Sequence, residues 1–425
     1  NDAFMEVYGR LAQAARPARE YAAAFFRWLL LGAVVGAAGG AVGALFSKAV
    51  EYATNLRGEN GWLLFLLPLG GLLIVGLYKL CRVSGVGTNE VFESVRAEKG
   101  VSILLAPAIF LGTVITHLFG GSAGREGAAL QLGGSVATLF GRLFRLSEQD
   151  RHILTMCGMS AVFAAVFGTP MAACVFAVEV VSVGRFCSAA LFPCIVSAST
   201  AFAAAQLFGV EGERFPVALV PAFSAESIWK MFVIAVAGAL VSVLFCWAMH
   251  TGAHLFQRFI PNEWLRVAAG GVLVVALSLL VGTTDYNGGG ISVIERVFAS
   301  GDVRPEAFLL KILFTAVTIG AGFKGGEIVP TLFIGATMGG ALSLLIGLDP
   351  AFGAAVGIAA LFCGVTNCPL ATVLLSIELF GGEGALFYML AACISFLLSG
   401  CFSLYTGQHI VFSKLREEEI DARGH

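Results

Sequence analysis

Gly120-Gly121-Ser122-Ala123-Gly124-Arg125-Glu126-Gly127-Ala128 sets a charged, glycine-rich turn between two runs too apolar for a water-facing surface. A carboxylate in such surroundings is costly, so Glu126 is expected to act on something. Glycine-rich turns that open helices present unpaired backbone N–H groups and the positive end of the helix dipole, which suits a dehydrated anion. Ionised Glu126, between Gly124 and Gly127, can fill that place with its own carboxylate, and protonation lets it leave. Anion and carboxylate then compete for one position. The plainer alternative is that Glu126 pairs with Arg125 or caps its helix.

Composition places the turn in a membrane. The chain has 425 residues, 58% hydrophobic and 13% charged, with 53 glycines and a mean hydropathy of +0.87. These values describe a multi-span helical membrane protein embedded in a lipid bilayer. Net charge is −2 and no basic-aromatic patch occurs, so no nucleic-acid partner is expected. Ten cysteines, Cys157, Cys174, Cys246, Cys363 and Cys393 among them, are scattered through apolar segments without Cys-x-x-Cys or Cys/His spacing. They read as small core residues. His117, His250 and His254 read as packing residues, and no metal or cofactor is expected. No nucleophile–base constellation is visible, so an enzyme is not expected.

Apolar helical candidates fall at 28–53, 62–81, 103–119, 127–144, 153–166, 170–183, 188–208, 228–258, 265–282, 307–321, 330–347, 352–365, 369–380 and 385–404. Several are shorter than the roughly 20 residues that a crossing needs. Half-membrane helices are the consequence, tolerable where the exposed backbone lines a protein cavity. Arg10, Arg16, Arg19 and Arg27 precede the first apolar run, and Lys414, Arg416 and Arg423 follow the last. Both termini are therefore expected in the cytoplasm.

The chain also repeats itself. A shift of 199 residues lays Gly158 through Glu179 over Gly357 through Glu378, with seven of 22 positions identical and Gly, Pro and Glu at matching spacing. Upstream, Gly85-Val86-Gly87 and Gly288-Gly289-Gly290 match as glycine turns, and Gly124-Arg125-Glu126-Gly127 matches Lys324-Gly325-Gly326-Glu327, at offsets of 201 to 203. The expected organisation is an N-terminal cytoplasmic segment 1–27, a membrane repeat 28–208, a linker 209–227, a second repeat 228–404, and a segment 405–425 holding Tyr405 and a cytoplasmic tail. Two such repeats place a substrate site at their interface.

Gly124-Arg125-Glu126-Gly127 resembles the Gly-Lys/Arg-Glu-Gly-Pro element of the CLC chloride channels and anion/proton antiporters. Gly85-Val86-Gly87, Gly326-Glu327-Ile328-Val329-Pro330 and Ser403-Leu404-Tyr405 resemble three further elements of that family, in family order. The resemblance implies an all-α membrane protein of two inverted-topology helical repeats with many tilted and half-membrane helices. It also implies a homodimer in a bacterial inner (plasma) membrane, each subunit with its own anion pathway. Carried over position by position, it implies anion binding at Gly85, Val86, Gly87, Gly124, Arg125, Gly127, Ile328, Val329 and Tyr405, with Glu126 as gate and proton carrier.

Departures from the family pattern point further. Val86 stands where chloride-selective members carry Ser, and Ala128 replaces the motif's Pro. Thr88-Asn89 replace Ile-Pro, and Glu327-Ile328 replace an apolar residue and Phe. Val180 stands where an inner proton-transfer glutamate is usual. Together with Gln131, these changes resemble the fluoride/proton antiporter branch. The expected function is exchange of a halide, fluoride favoured and chloride possible, for H+. The alternatives are a chloride/proton antiporter and a passive chloride channel of the same family.

Four residues keep two readings each. Glu327 is either a capping carboxylate of the helix near Pro330 or a second proton-carrying group that can donate a hydrogen bond to fluoride. Tyr405 is either an interfacial aromatic or a phenolic donor to the anion. Glu179 and Glu378, each nine residues after a proline, are expected to cap loop amides, with a proton path as the lesser reading.

Overall fold

The computed structural model describes residues 2–96, 100–416 and 418–424, with the side chains of 2–17 and 421 outside that description. The side chains of Arg10 and Arg16 therefore fall outside that description. The first half runs α1 (Asp2–Glu59), α2 (Leu67–Leu80), α3 (Thr88–Ser94), α4 (Leu105–Phe119), α5 (Glu126–Leu143), α6 (Glu148–Phe167), α7 (Pro170–Glu179) and α8 (Ser188–Leu207). The second runs α9 (Ala225–Phe259), α10 (Glu263–Val281), α11 (Ile291–Ser300), α12 (Ala307–Ala321), α13 (Ile328–Ile346), α14 (Pro350–Thr366), α15 (Pro369–Phe380) and α16 (Ala385–Leu398). Each helix of one half has its counterpart in the other, in the same order.

Local chemistry fixes the counterparts in the same way. Helices α4 and α12 are both 15 residues long and both end on a left-handed glycine, Gly120 (φ 88°) and Gly322 (φ 114°). A side chain would strain either turn, and each turn leads straight into a charged loop. Helices α6 and α14 each begin on a capping side chain: Ser147 accepts from the Asp150 N–H and Asp349 from the Phe352 N–H. Such caps satisfy amides that the helix itself leaves unpaired.

Packing between helices is backbone on backbone. A Cβ on Gly133 of α5 would lie 2.1 Å from the Gly158 carbonyl oxygen of α6, and one on Gly357 of α14 would lie 2.3 Å from that of Gly335 in α13. Small residues at matching places let the paired helices approach closely in both repeats, a contact geometry typical of membrane bundles.

Helices α7 and α15, of 10 and 12 residues, are too short to cross a bilayer, and their ends need partners within the protein. Each repeat supplies the other's. Glu179 Oε1 and Oε2 accept from the N–H groups of Leu370 (3.2 Å) and Ala371 (2.9 Å) at the start of α15. Glu378 does the same for Met171 (3.0 Å) and Ala172 (2.9 Å) at the start of α7. The capping reading of both glutamates holds, and the caps are reciprocal. Six helical segments among the described residues are long and apolar enough to cross a membrane.

Several features lie outside the expected pattern. Helices α3 and α11 were not among the sequence candidates, because seven and ten residues with polar ends carry little apolar signal. The segment after Tyr405 is more than a tail. It forms β2 (His409–Phe412) and β3 (Glu419–Arg423), paired antiparallel, and β2 runs parallel to β1 (Ser182–Val183) just after α7. Cys157, Cys174, Cys246 and Cys363 are buried as expected. Cys187 and Cys393 are exposed and Cys81 and Cys401 half-buried, corrections to their reading as core residues; Cys393 lies on α16, which turns Phe387, Tyr388 and Ala391 inward instead.

Candidate functional site

The two charged loops meet. Gly124 and Gly326 form an antiparallel bridge, each N–H donating to the other's carbonyl at 2.7 Å. This bridge joins the starts of α5 and α13. Neither glycine tolerates a side chain. A Cβ on Gly124 would lie 2.7 Å from Glu126 Oε2 and 3.1 Å from the Val329 nitrogen, and one on Gly326 would lie 2.3 Å from the Gly127 nitrogen. The Glu126 carboxylate and the Val329 amide at the start of α13 thus converge beside Gly124. Ile328 and Val329, both buried, open α13 there.

Glu126 is 1% exposed and is the first residue of α5. Its Oε2 accepts from the Arg125 N–H at 3.0 Å, while Oε1 lies 3.5 Å from Arg125 Nε and has no hydrogen-bond partner. The carboxylate therefore occupies an amide-lined position at a helix start, where an anion would also sit. The plainer pairing with Arg125 is present as well, but it leaves half of the carboxylate unsatisfied in a buried place.

The Arg125 side chain is drawn to a second carboxylate. Its Nη2 donates to Glu213 Oε1 at 2.9 Å, so the guanidinium is shared between Glu126 and the loop that joins α8 to α9. Burial pushes the Glu213 carboxyl above its ordinary range, and Arg125 pulls it back. Glu213 carries no sequence signal: it is one of two glutamates in the loop between α8 and α9, and only the folded chain brings it to Arg125.

A cavity of about 190 Å³ adjoins the bridge at Gly325 and Glu327, lined also by Val86, Gly87, Gln131, Lys324 and Tyr405 among others. Glu327 Oε2, Gln131 Oε1 and the Tyr405 hydroxyl are buried there without hydrogen-bond partners. Three orphaned polar atoms around one cavity is the pattern of a site that holds a polar guest. Glu327 occupies the N-cap of α13, yet its side chain makes no capping hydrogen bond, so the capping reading fails. Tyr405 is 2% exposed and packs edge-on against Phe92 at 5.0 Å, which removes the reading as an interfacial aromatic.

The Gly85-Val86-Gly87 loop contributes less than its glycines suggest. The Gly87 N–H donates to Glu90 Oε2 at 2.6 Å and the Val86 N–H to the Val83 carbonyl at 3.1 Å. Those two amides are already taken. Gly85 is exposed at φ 79°, serving the turn, and Val86 offers only an apolar wall. Thr88 and Gln131 close this side, with Gln131 Nε2 donating to Thr88 Oγ1 at 3.0 Å. The matching loop of the second repeat does not reach the cavity. The buried Lys311 donates to the carbonyls of Tyr286 (3.1 Å) and Gly288 (2.7 Å), and the Gly288 N–H donates to the Gly121 carbonyl at 2.9 Å. Lys311 was missed, although a lone lysine in an apolar helix is a readable signal.

Of the expected site residues, the structure brings Val86, Gly87, Glu327 and Tyr405 to the cavity, and Gly124, Glu126, Gly127, Ile328, Val329 and the backbone amide of Arg125 to the bridge. The Arg125 side chain, turned to Glu213, and Gly85 stand apart from both. His117 is a buried packing residue whose Nδ1 lies 2.9 Å from the Thr113 carbonyl.

Two matched helical halves that meet in a membrane at a buried carboxylate and two helix starts define a membrane protein with its working site at a repeat interface. The chain belongs to the voltage gated chloride channel family, whose pattern matches residues 70–400. It is 36% identical over 400 residues, 91% of this chain and 87% of the relative, to a chloride/fluoride channel protein of Pseudomonas syringae pv. tomato. It is 28% identical to the H(+)/Cl(-) exchange transporter ClcA of Vibrio cholerae, over 83% of this chain and 82% of that one. Among solved structures, a CLC-type fluoride/proton antiporter superposes with a TM-score of 0.87 at 33% identity, covering 90% of this chain and 98% of that one. A slow cyanobacterial Cl-/H+ antiporter shares the fold with a TM-score of 0.76.

Proposed function

We infer that this protein is a secondary anion/proton antiporter that moves a halide, fluoride in preference to chloride, across a bacterial inner membrane in exchange for H+. The observation that carries the reading is Glu126: a buried carboxylate at a helix start, bound on one oxygen by the Arg125 amide and unsatisfied on the other. Protonation removes the charge that holds the side chain there, and the freed amide of Arg125, beside the start of α13, is then open to an anion. Carboxylate and halide alternate, so each anion that enters requires a proton that has arrived. The resemblance to a fluoride/proton antiporter and to H(+)/Cl(-) exchangers supports the same reading.

Fluoride is small and strongly hydrated, and good donors must replace its water. A protonated carboxyl at Glu327 and the phenol of Tyr405, both without internal partners, are such donors, whereas Val86 offers nothing to the softer chloride. The protein works as a homodimer with both termini in the cytoplasm, in this reading. Large apolar side chains exposed on α8, α15 and α16, including Leu191, Phe192, Leu370, Leu386 and Met389, give a partner copy an apolar face to bury.

Flux of fluoride and chloride with simultaneous proton movement in proteoliposomes tests the reading. A fluoride gradient should drive protons uphill in the native protein, and Glu126→Gln should abolish that coupling. Proton pumping by Glu126→Gln sinks the mechanism. Halide flux without proton movement in the native protein replaces it with the passive channel.

A further inference from the structure

One charged residue of the paired turns has no part in the mechanism above. Lys324 stands in the second repeat beside Glu327, as Arg125 stands beside Glu126 in the first, but the two cations are used differently. Arg125 is engaged by Glu213 and Glu126. Lys324 lines the 190 Å³ cavity with Val86, Gln131, Glu327 and Tyr405, and its ammonium rests 4.4 Å from the centre of the Tyr78 ring.

Among the described residues, no carboxylate comes within ion-pair distance of that ammonium. The acids that face it are Glu90, Glu263 and Glu327, and Arg266 faces it as well. Glu90 is occupied at the Gly87 amide (2.6 Å), and Glu263 lies 3.7 Å from Lys79. A glycine makes room for the lysine stem: a Cβ on Gly112 of α4 would lie 3.2 Å from Lys324 Cβ and 3.4 Å from Tyr78 Cε2. The cation is thus set in place by a glycine behind it and an aromatic face beside it, next to a cavity with orphaned polar atoms, and among the described residues no carboxylate pairs with it within 4 Å. A half-buried cation in that position attracts anions, because low local dielectric strengthens its field.

We propose that Lys324 is the cation that draws the halide into the cavity beside the Gly124–Gly326 bridge and holds it there until Glu126 yields its place. The proposal rests on the antiporter reading and adds a binding residue to it. Glu327 and Lys324 then divide the labour, the lysine supplying charge and the carboxyl supplying a proton.

The test compares Lys324→Met with Lys324→Arg. In proteoliposomes, Lys324→Met should raise the fluoride KM about tenfold, equivalent to about 1.4 kcal/mol, with little change in kcat and an unchanged ratio of protons to fluoride. Lys324→Arg should keep KM within about twofold, since it keeps the charge. Fluoride titration of the detergent-solubilised dimer by calorimetry should show the same ordering without any transport. If Lys324→Met does not fold, the native protein still answers: its fluoride KM should rise as potassium gluconate is raised from about 10 to 300 mM, through screening. Unchanged fluoride binding in Lys324→Met, equal damage in the Met and Arg variants, or a KM in the native protein indifferent to gluconate overturns the proposal. Loss of proton coupling in the native protein would instead strike the antiporter reading, and the calorimetric ordering would still decide whether Lys324 binds the halide.

Discussion

Gly326→Ala places one methyl group at the point where the two repeats touch. That methyl would lie 2.3 Å from the Gly127 nitrogen, 2.9 Å from its Cα and 3.2 Å from the Glu126 nitrogen, all backbone atoms that cannot swing aside. Relief requires the loops to part by about 1 Å, the shortfall from ordinary van der Waals separation of roughly 3.5 Å. The two 2.7 Å hydrogen bonds between Gly124 and Gly326 do not survive that movement. Overpacking costs about 1–3 kcal/mol, and each of the two bonds lost adds about 1–3 kcal/mol. A loss of roughly 3–9 kcal/mol follows. Glu126 and the start of α13 also move apart, so coupled exchange should slow at least tenfold in whatever protein remains folded. Thermal unfolding in detergent, read by tryptophan fluorescence, and proton-coupled fluoride efflux measure the two effects. Gly382→Ala is the control, since a Cβ there meets nothing within 4 Å. Melting and transport of Gly326→Ala indistinguishable from the control would refute the account of the bridge.

Glu327→Gln should cost about 1 kcal/mol or less in stability, because the carboxyl makes no capping bond, yet it should slow exchange and flatten the pH profile of turnover by removing one of two titrating groups; an unchanged profile leaves Glu126 as the only titrating gate. Val86→Ser adds a hydroxyl to the apolar wall of the cavity and should raise chloride flux relative to fluoride in competition assays, and a fixed ratio would detach selectivity from this position. Glu378→Ala removes two carboxylate bonds to the α7 amides and should lower stability by about 2–4 kcal/mol, with Glu378→Gln between it and the native protein; equal melting of all three would dismiss the reciprocal caps.

The sequence by itself determined that the chain is a helical membrane protein in two matched halves, and that Glu126 and Glu327 belong to paired glycine turns. Run length, glycine placement and repeat spacing are properties of the linear chain, and the cost of a carboxylate in an apolar setting can be judged without coordinates. The nine-residue spacing of Pro170 to Glu179 and of Pro369 to Glu378 likewise foretold a symmetric capping duty. Which amides each glutamate caps was a different matter. Helix α7 is capped from the other half of the chain, and so is α15, because their partners are neighbours only after the repeats interlock. The same holds for the Gly124–Gly326 bridge, for the diversion of Arg125 to Glu213, and for the cavity that Lys324 and Tyr405 line together. Helices α3 and α11 and the sheet after Tyr405 escaped for a related reason, being short and polar enough that their local preference is weak until packing supplies the stabilisation. Tertiary structure decided each of these, since a hydrogen bond or a charge contact between distant residues has no periodicity to betray it.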